Sequence, residues 1–174
     1  MKGLRSIPRI LKVNGIEGYK ASLLFNNGES RIVDFYRLLH DVFGLRAGRI
    51  GFELLEDPRL FSSMKVMGTS IGWEGVGLES INEHGEKEFY PYELDPIVLY
   101  ENSIADGSRD LLIGMKVREA RKAAGLTQEE LAKRSGTTKY YISKLENNKS
   151  DIELMTLQKI VEAGLGKELQ ITIK

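Results

Sequence analysis

Residues 116–149, KVREARKAAGLTQEELAKRSGTTKYYISKLENNK, alternate helix-ending and helix-starting signals at intervals short enough to require tightly joined helices. A helical run with apolar Ile113, Val117, Ala120 and Ala124 at three- and four-residue spacing leads to Gly125, placed to end it in a left-handed cap. After Leu126 comes Thr127-Gln128-Glu129-Glu130, where the threonine hydroxyl can accept the amide of the third helical residue while Glu130 reaches back to the threonine amide. This capping box starts a second, short helix with Leu131 and Ala132 inward and Lys133, Arg134 and Ser135 outward, and Gly136 supplies the next turn. Thr138 caps a third helix. Its buried positions are Ile142 and Leu145, which leaves Lys139, Tyr140, Ser143, Lys144 and Asn147 facing solvent. Tyr140 and Tyr141 are adjacent, about 100° apart around the helix, so one packs and the other points outward.

From about Ile113 to Leu165 the chain resembles the lambda-repressor and Cro type of helix-turn-helix, the Xre family. The residues that carry the resemblance are Arg121 and Gly125, LTQEELA from Leu126 to Ala132, Gly136, and ISKLENNK from Ile142 to Lys149. It implies that the ligand is sequence-specific double-stranded DNA. It also implies a partly buried pair between Arg121 and Glu146, which fixes helix geometry more than it stabilises, because desolvation offsets much of the attraction. DNA contacts are implied for Thr127 and Gln128, for Thr138, Lys139 and Tyr140, and for Ser143, Lys144 and Asn147, with Lys149 on the backbone. Asn148 stands where the family usually has glycine; asparagine tolerates the left-handed conformation better than most residues.

A formal net charge of zero argues at first against a nucleic-acid ligand, but the two halves differ. Residues 109–174 hold 13 Lys+Arg against 9 Asp+Glu, a surplus of +4, so residues 1–108 hold the remaining 12 and 16, or −4. The helix-turn-helix half is the basic one. A surplus of four is modest, so binding is expected to need two copies and to fall steeply with salt.

Two copies are also expected from the end of the chain. Asp151 can cap a fourth helix with apolar Leu154, Leu157, Ile160 and Val161, ended by Gly164 and Gly166. LQITIK then alternates as a strand does. A lone strand after four helices has no neighbour in its own domain and is unstable in water. Pairing with its equivalent in a second copy gives a two-fold homodimer whose recognition helices enter major grooves about 34 Å apart and read a pseudo-palindromic operator. Docking of the strand on the N-terminal half is the alternative.

Residues 1–105 follow another pattern. YKASLLF and the run from Ser30 to Phe35 flank Asn26-Asn27-Gly28, where Asn-Gly readily takes positive φ at both central positions of a hairpin turn. A short helix is expected from Asp34 to Val42, a turn near Pro58–Phe61, and a second hairpin around Gly68 and Thr69. Glu79 to Tyr100 is charged and less regular, and the polar segment Glu101 to Arg109 reads as the connector. This half resembles a small bacterial domain through Phe25, Gly28, Asp34, Phe61, Gly68, Trp73 and the pair Leu99-Tyr100, with a longer span than usual between Trp73 and Leu99. Members of that family often sit beside predicted toxins and look like antitoxins, so the resemblance implies a toxin-binding or regulatory role, with a cognate toxin as the candidate partner. Read by residue type alone, Phe61 and Trp73 are core or interface aromatics and Asp34 is a helix cap.

The expected fold is therefore α+β: residues 1–105 form a small antiparallel sheet with one or two helices, and residues 106–174 a four- to five-helix domain ending in a short strand. Catalysis is not expected. His40 and His84 are far apart, cysteine is absent, and the GVG at 75–77 reads as a turn. Glu53, Glu56 and Asp57 cluster as solvated surface carboxylates do, and no cofactor or metal is called for. The start, MKGLRSIPRILKV, lacks a signal-peptide core and no later run reaches membrane-spanning length, so a cytoplasmic protein is expected. The leading function is a DNA-binding transcriptional regulator, an autorepressing antitoxin. A repressor whose N-terminal domain senses a small molecule, and an adaptor that binds protein but not DNA, are the alternatives.

Overall fold

The computed structural model describes residues 7–109, 111–148 and 152–173. The chain divides into two compact units, Met1–Asp110 and Leu111–Lys174.

The first unit opens with strands β1 (Ile10–Glu17), β2 (Lys20–Phe25) and β3 (Ser30–Asp34) in an antiparallel meander. Ala21, Leu23 and Phe25 alternate inward along β2, as the two-residue period of a strand requires. The β2–β3 turn lies at Asn26–Gly28 as expected, but in a different form. Only Gly28 has positive φ, +83°. Its N–H donates to the Phe25 carbonyl at 2.9 Å and the Phe25 N–H to Glu29 at 2.9 Å, the bonding of a longer loop with a bulge. Asn27 stays out of the left-handed region, and its side-chain oxygen accepts the Glu29 amide at 3.0 Å.

Asp34 Oδ1 accepts the Arg37 amide and starts a helical segment that runs as a π-helical turn over Arg37–Val42. The expected turn at Pro58–Phe61 is instead a helix. After α1 (Glu53–Glu56), Asp57 accepts the amides of Arg59 and Leu60 and begins α2 (Pro58–Ser62) with proline at its first position, where no amide is missed. Strands β4 (Lys65–Met67) and β5 (Ser70–Ile81) turn at Gly68, φ +60°, and β6 (Lys87–Leu94) completes a second antiparallel sheet.

Glu79–Tyr100 is thus more regular than its composition suggests, for it holds the end of β5, all of β6 and all but the last residue of helix α3 (Pro96–Glu101). Around the ribbon tip from Leu78 to Tyr90 nearly every residue is exposed, so no alternation of apolar and polar residues marks the strands there. The GVG at 75–77 is not a turn either: it lies inside β5, where the register shifts between Trp73 and Gly77, and glycine in a strand fits such a bulge.

Both sheets share one core, built on Leu23, Phe25 and Val33 from the first, Phe35 just after it, and Ile71, Trp73, Val76 and Leu94 from the second. Phe61 and Trp73 sit in it as core aromatics, their rings 5.9 Å apart, with Trp73 Nε1–H donating to the Phe61 carbonyl at 2.8 Å. The segment that reads as a connector is largely structured. Strand β7 (Ser103–Ala105) joins the edge of β3, and Asp106, buried, accepts from Ser22 and from the Ser108 hydroxyl and amide. Hydrogen bonds from Ser108 and Ser22 hold its carboxyl below the usual range, against the opposing effect of burial. Polar residues there are spent on fastening the chain, which composition alone cannot distinguish from solvation.

Among the described residues the second unit has the helices α4 (Ile113–Ala123), α5 (Gln128–Ser135), α6 (Lys139–Glu146) and α7 (Leu154–Lys159), the last continuing as a π-helical turn to Gly164. Val117, Leu131, Ala132, Ile142, Leu145, Leu157 and Ile160 make its core. Ser135, expected outside, is buried and satisfies its hydroxyl on the Leu131 carbonyl at 2.8 Å. Asp151 lies outside the described residues, and α7 opens after Glu153. Gly166, at φ +65°, ends the last helix, whereas Gly164 serves close packing, since a Cβ there would lie 2.6 Å from Leu131 Cδ1.

The expected terminal strand does not form in the single chain: residues 167–173 have no regular structure. Leu169 packs against the helices, but Ile171 and Ile173 are 62% and 94% exposed. A strand needs a hydrogen-bonded neighbour, and the described residues of one chain pair none with this segment. Lys174 lies outside those residues.

Candidate nucleic-acid interface

The helix-turn-helix is set by its caps. Gly125 and Gly136 end α4 and α5 at φ +68° and +66°. The Thr127 hydroxyl accepts the Glu130 amide at 3.1 Å while Glu130 Oε2 accepts the Thr127 amide at 2.7 Å, the reciprocal box its sequence announces. These bonds from Thr127, first its amide and then its hydroxyl, hold the Glu130 carboxyl below its ordinary range. Thr138 Oγ1 accepts the Tyr141 amide at 3.1 Å and opens α6. Asn148 takes the left-handed conformation, φ +52°.

The angle between α4 and α6 is held by a buried ion pair. Arg121 Nε meets Glu146 Oε1 at 2.6 Å and Nη2 meets Oε2 at 3.0 Å, while Nη1 donates to the Leu126 carbonyl at 2.6 Å. The guanidinium therefore joins the end of α4, the loop before α5 and the end of α6. Burial pushes the Glu146 carboxyl up, but hydrogen bonds from Arg121 and Gln128 and the charges of Arg121 and Arg118 outweigh it, leaving the group below the usual range. Arg121 is raised in turn by its hydrogen bond to Glu146.

Two further residues complete this cluster. Gln128 Nε2 donates to Glu146 Oε2 at 2.9 Å, so its amide is oriented from within. Arg118, which no motif in the sequence marks, approaches Glu146 Oε2 at 3.7 Å and donates to Asn147 Oδ1 at 3.3 Å. The available signal was its spacing: three residues before Arg121, it shares that face of the helix. Asn147 Nδ2 donates to the Ser143 carbonyl at 2.7 Å, which caps the end of α6.

The sequence-derived contact residues thus separate into two groups. Thr127, Thr138, Gln128 and Asn147 have their side chains engaged in caps or in the Glu146 cluster. On the outer face of α6, Tyr140 is 68% exposed, Lys144 Nζ sits 4.5 Å from the centre of its ring, and Ser143 lies one position away. Lys139 is 3.7 Å from Glu129 across the turn, both ends well exposed. Tyr141 packs partly against the core, so of the two tyrosines it is Tyr140 that points outward. Lys149 lies outside the described residues.

Residues 117–164 match the family model described as Helix-turn-helix. No curated protein matches. Among solved structures, the restriction-modification controller protein C.Esp1396I aligns at 28% identity and a TM-score of 0.32, over 34% of this chain and 82% of its own. The candidate DNA-binding protein NE0471 of Nitrosomonas europaea aligns at 14% identity and a TM-score of 0.33, over 88% of this chain and 84% of its own. Both scores are too low to speak for the fold of the whole chain.

Proposed function

We propose that this chain, whose second unit carries a helix-turn-helix, is a sequence-specific DNA-binding transcriptional regulator. The observation that carries the reading is the outer face of α6. Caps at both ends and the Arg121–Glu146 pair fix that helix, and its outer face carries the exposed Tyr140 with Ser143 and Lys144 half-buried beside it, in the basic half of the protein. An exposed helix of this kind, with its neighbour α5 beside it, suits the major groove. Gln128 and Asn147 act by holding the surface that approaches DNA, and Thr127, Thr138, Lys139 and Lys149 complete the contact set.

The active species is a homodimer. Ile171 and Ile173 are exposed at the end of the chain, beside an apolar cleft of about 600 Å³ lined by Ile113, Val117, Leu157 and Leu169. Pairing of the two terminal segments supplies the neighbour that each lacks and places two copies of α6 on a pseudo-palindromic operator. The acidic first unit has a different partner. Its resemblance to domains found beside predicted toxins supports an antitoxin that represses its own operon and binds the toxin through residues 1–105. Its site is inside the cell, and among the described residues no helix is long and apolar enough to cross a membrane.

A reporter gene driven by the DNA upstream of the protein's own gene tests the regulatory reading. Expression of the chain should lower reporter output, and Lys144→Ala should restore it. Equal output with and without the chain would contradict the reading.

A further inference from the structure

We propose that Lys144 reads a guanine in each operator half-site and that Tyr140 is the residue that positions it. The proposal rests on the DNA-binding reading above and names the base that the same surface recognises.

The argument starts from which side chains at this surface remain uncommitted. Gln128 gives its amide to Glu146, and Asn147 both donates to the Ser143 carbonyl and accepts from Arg118. Thr138 holds the Tyr141 amide, and Lys139 lies in the field of Glu129. Base reading by any of these requires giving up an interaction already made. Among the described residues of α6, the outward groups without such a commitment are the Tyr140 hydroxyl, Ser143 and the Lys144 ammonium.

Lys144 differs from an ordinary surface lysine in having a fixed resting place. One helical turn separates it from Tyr140, and Nζ lies 4.5 Å from the ring centre, within cation–π range. The ring face confines the flexible stem before DNA arrives, so less rotamer freedom is lost on binding. The ammonium protons that point away from the ring remain free to donate to a base edge.

A compact donor with no acceptor capacity discriminates among base pairs in the major groove. Guanine presents two neighbouring acceptors there, N7 and O6, whereas adenine sets a donor beside its N7, which an ammonium cannot satisfy. Thymine offers one acceptor beside a methyl group. Guanine is the edge that an ordered lysine fits.

The test selects duplexes from a randomised library with the full-length protein. It then measures affinity for the selected operator, for the same operator with adenine at each guanine in turn, and for one carrying 7-deazaguanine. The wild-type chain should lose tenfold or more at one guanine per half-site, and a similar factor with 7-deazaguanine there. Lys144→Met, which keeps the stem and removes the charge, should be indifferent to both changes at that position while keeping its preferences elsewhere. Tyr140→Phe, which keeps the ring face under Lys144, should keep the wild-type ratio of affinities for guanine over adenine at that position whatever its overall affinity, and Tyr140→Leu should keep the guanine preference with reduced discrimination.

Unaltered base preferences in Lys144→Met would overturn the assignment of Lys144. Loss of preference for a base other than guanine would overturn the guanine. Identical discrimination by Tyr140→Phe and Tyr140→Leu would overturn the role of Tyr140. Salt-sensitive binding that selects no sequence at all would overturn the proposal together with the regulator reading, a result distinct from the other three.

Discussion

Arg121 and Glu146 form a two-bond ion pair 25 residues apart in sequence, with oxygen–nitrogen distances of 2.6 and 3.0 Å, in which neither side chain is appreciably exposed. It links the last turn of α4 to the last residue of α6 and sets the attitude of the helix proposed to enter the groove. Such a pair contributes more to geometry than to net stability, because removing two charges from water offsets much of their attraction.

Removing one partner should therefore be far more damaging than removing both. Glu146→Gln leaves a buried guanidinium without its counter-charge and should cost about 3 kcal/mol or more, whereas Arg121→Met combined with Glu146→Leu should cost much less. Urea titration followed by far-ultraviolet circular dichroism measures both. A double variant as unstable as the sum of the two single ones would refute this account of the pair.

The same carboxylate makes stability depend on pH. Its value in the folded protein lies below the ordinary 4.5. The contribution is thus complete above that ordinary value and is lost as pH falls through the depressed one. Thermal unfolding of the second unit between pH 6 and pH 3 should show a steeper fall for the wild type than for Glu146→Gln, whose starting stability is lower. Parallel curves would remove Glu146 as the titrating group.

Gly114 is a position where sequence pattern gives no hint of constraint. A Cβ there would run into the Leu145 carbonyl oxygen and the Asn148 side chain, both on the chain at the end of α6. Gly114→Ala should destabilise the second unit by ~1–3 kcal/mol, the range for overpacking a tight contact. The only tryptophan is Trp73, in the core of the first unit. Its fluorescence should melt unchanged while helical ellipticity melts earlier, and equal shifts in both signals would contradict the separation.

Deleting residues 168–174 removes Leu169, Ile171 and Ile173 together. Sedimentation velocity should then shift from dimer toward monomer, and operator affinity should fall steeply because each half-site would bind alone. A dimer that persists after the deletion would place the contact elsewhere.

The second unit was legible because its signals are local. Gly125, Thr127, Glu130, Gly136 and Thr138 act on residues within four positions of themselves, so the caps follow from sequence alone. Arg118 was missed and Ser135 misplaced because their environments depend on the packing of other helices. In the first unit the hairpins at Gly28 and Gly68 were readable, yet the Leu78–Tyr90 ribbon was not: with both faces in water it carries no periodic signal. Asp106 reads as connector material until Ser22, 84 residues away, is seen to donate to it. The terminal segment shows the opposite failure: the alternation of Leu169, Ile171 and Ile173 names a strand, and among the described residues that segment pairs with none.

The most direct measurement is fluorescence anisotropy of a labelled duplex from upstream of the protein's own gene, titrated with the full-length protein at two salt concentrations against unrelated competitor DNA. Sequence-specific regulation predicts binding that survives the competitor, weakens steeply with salt and is lost preferentially in Lys144→Ala. Binding to the upstream and unrelated duplexes with equal affinity would contradict it.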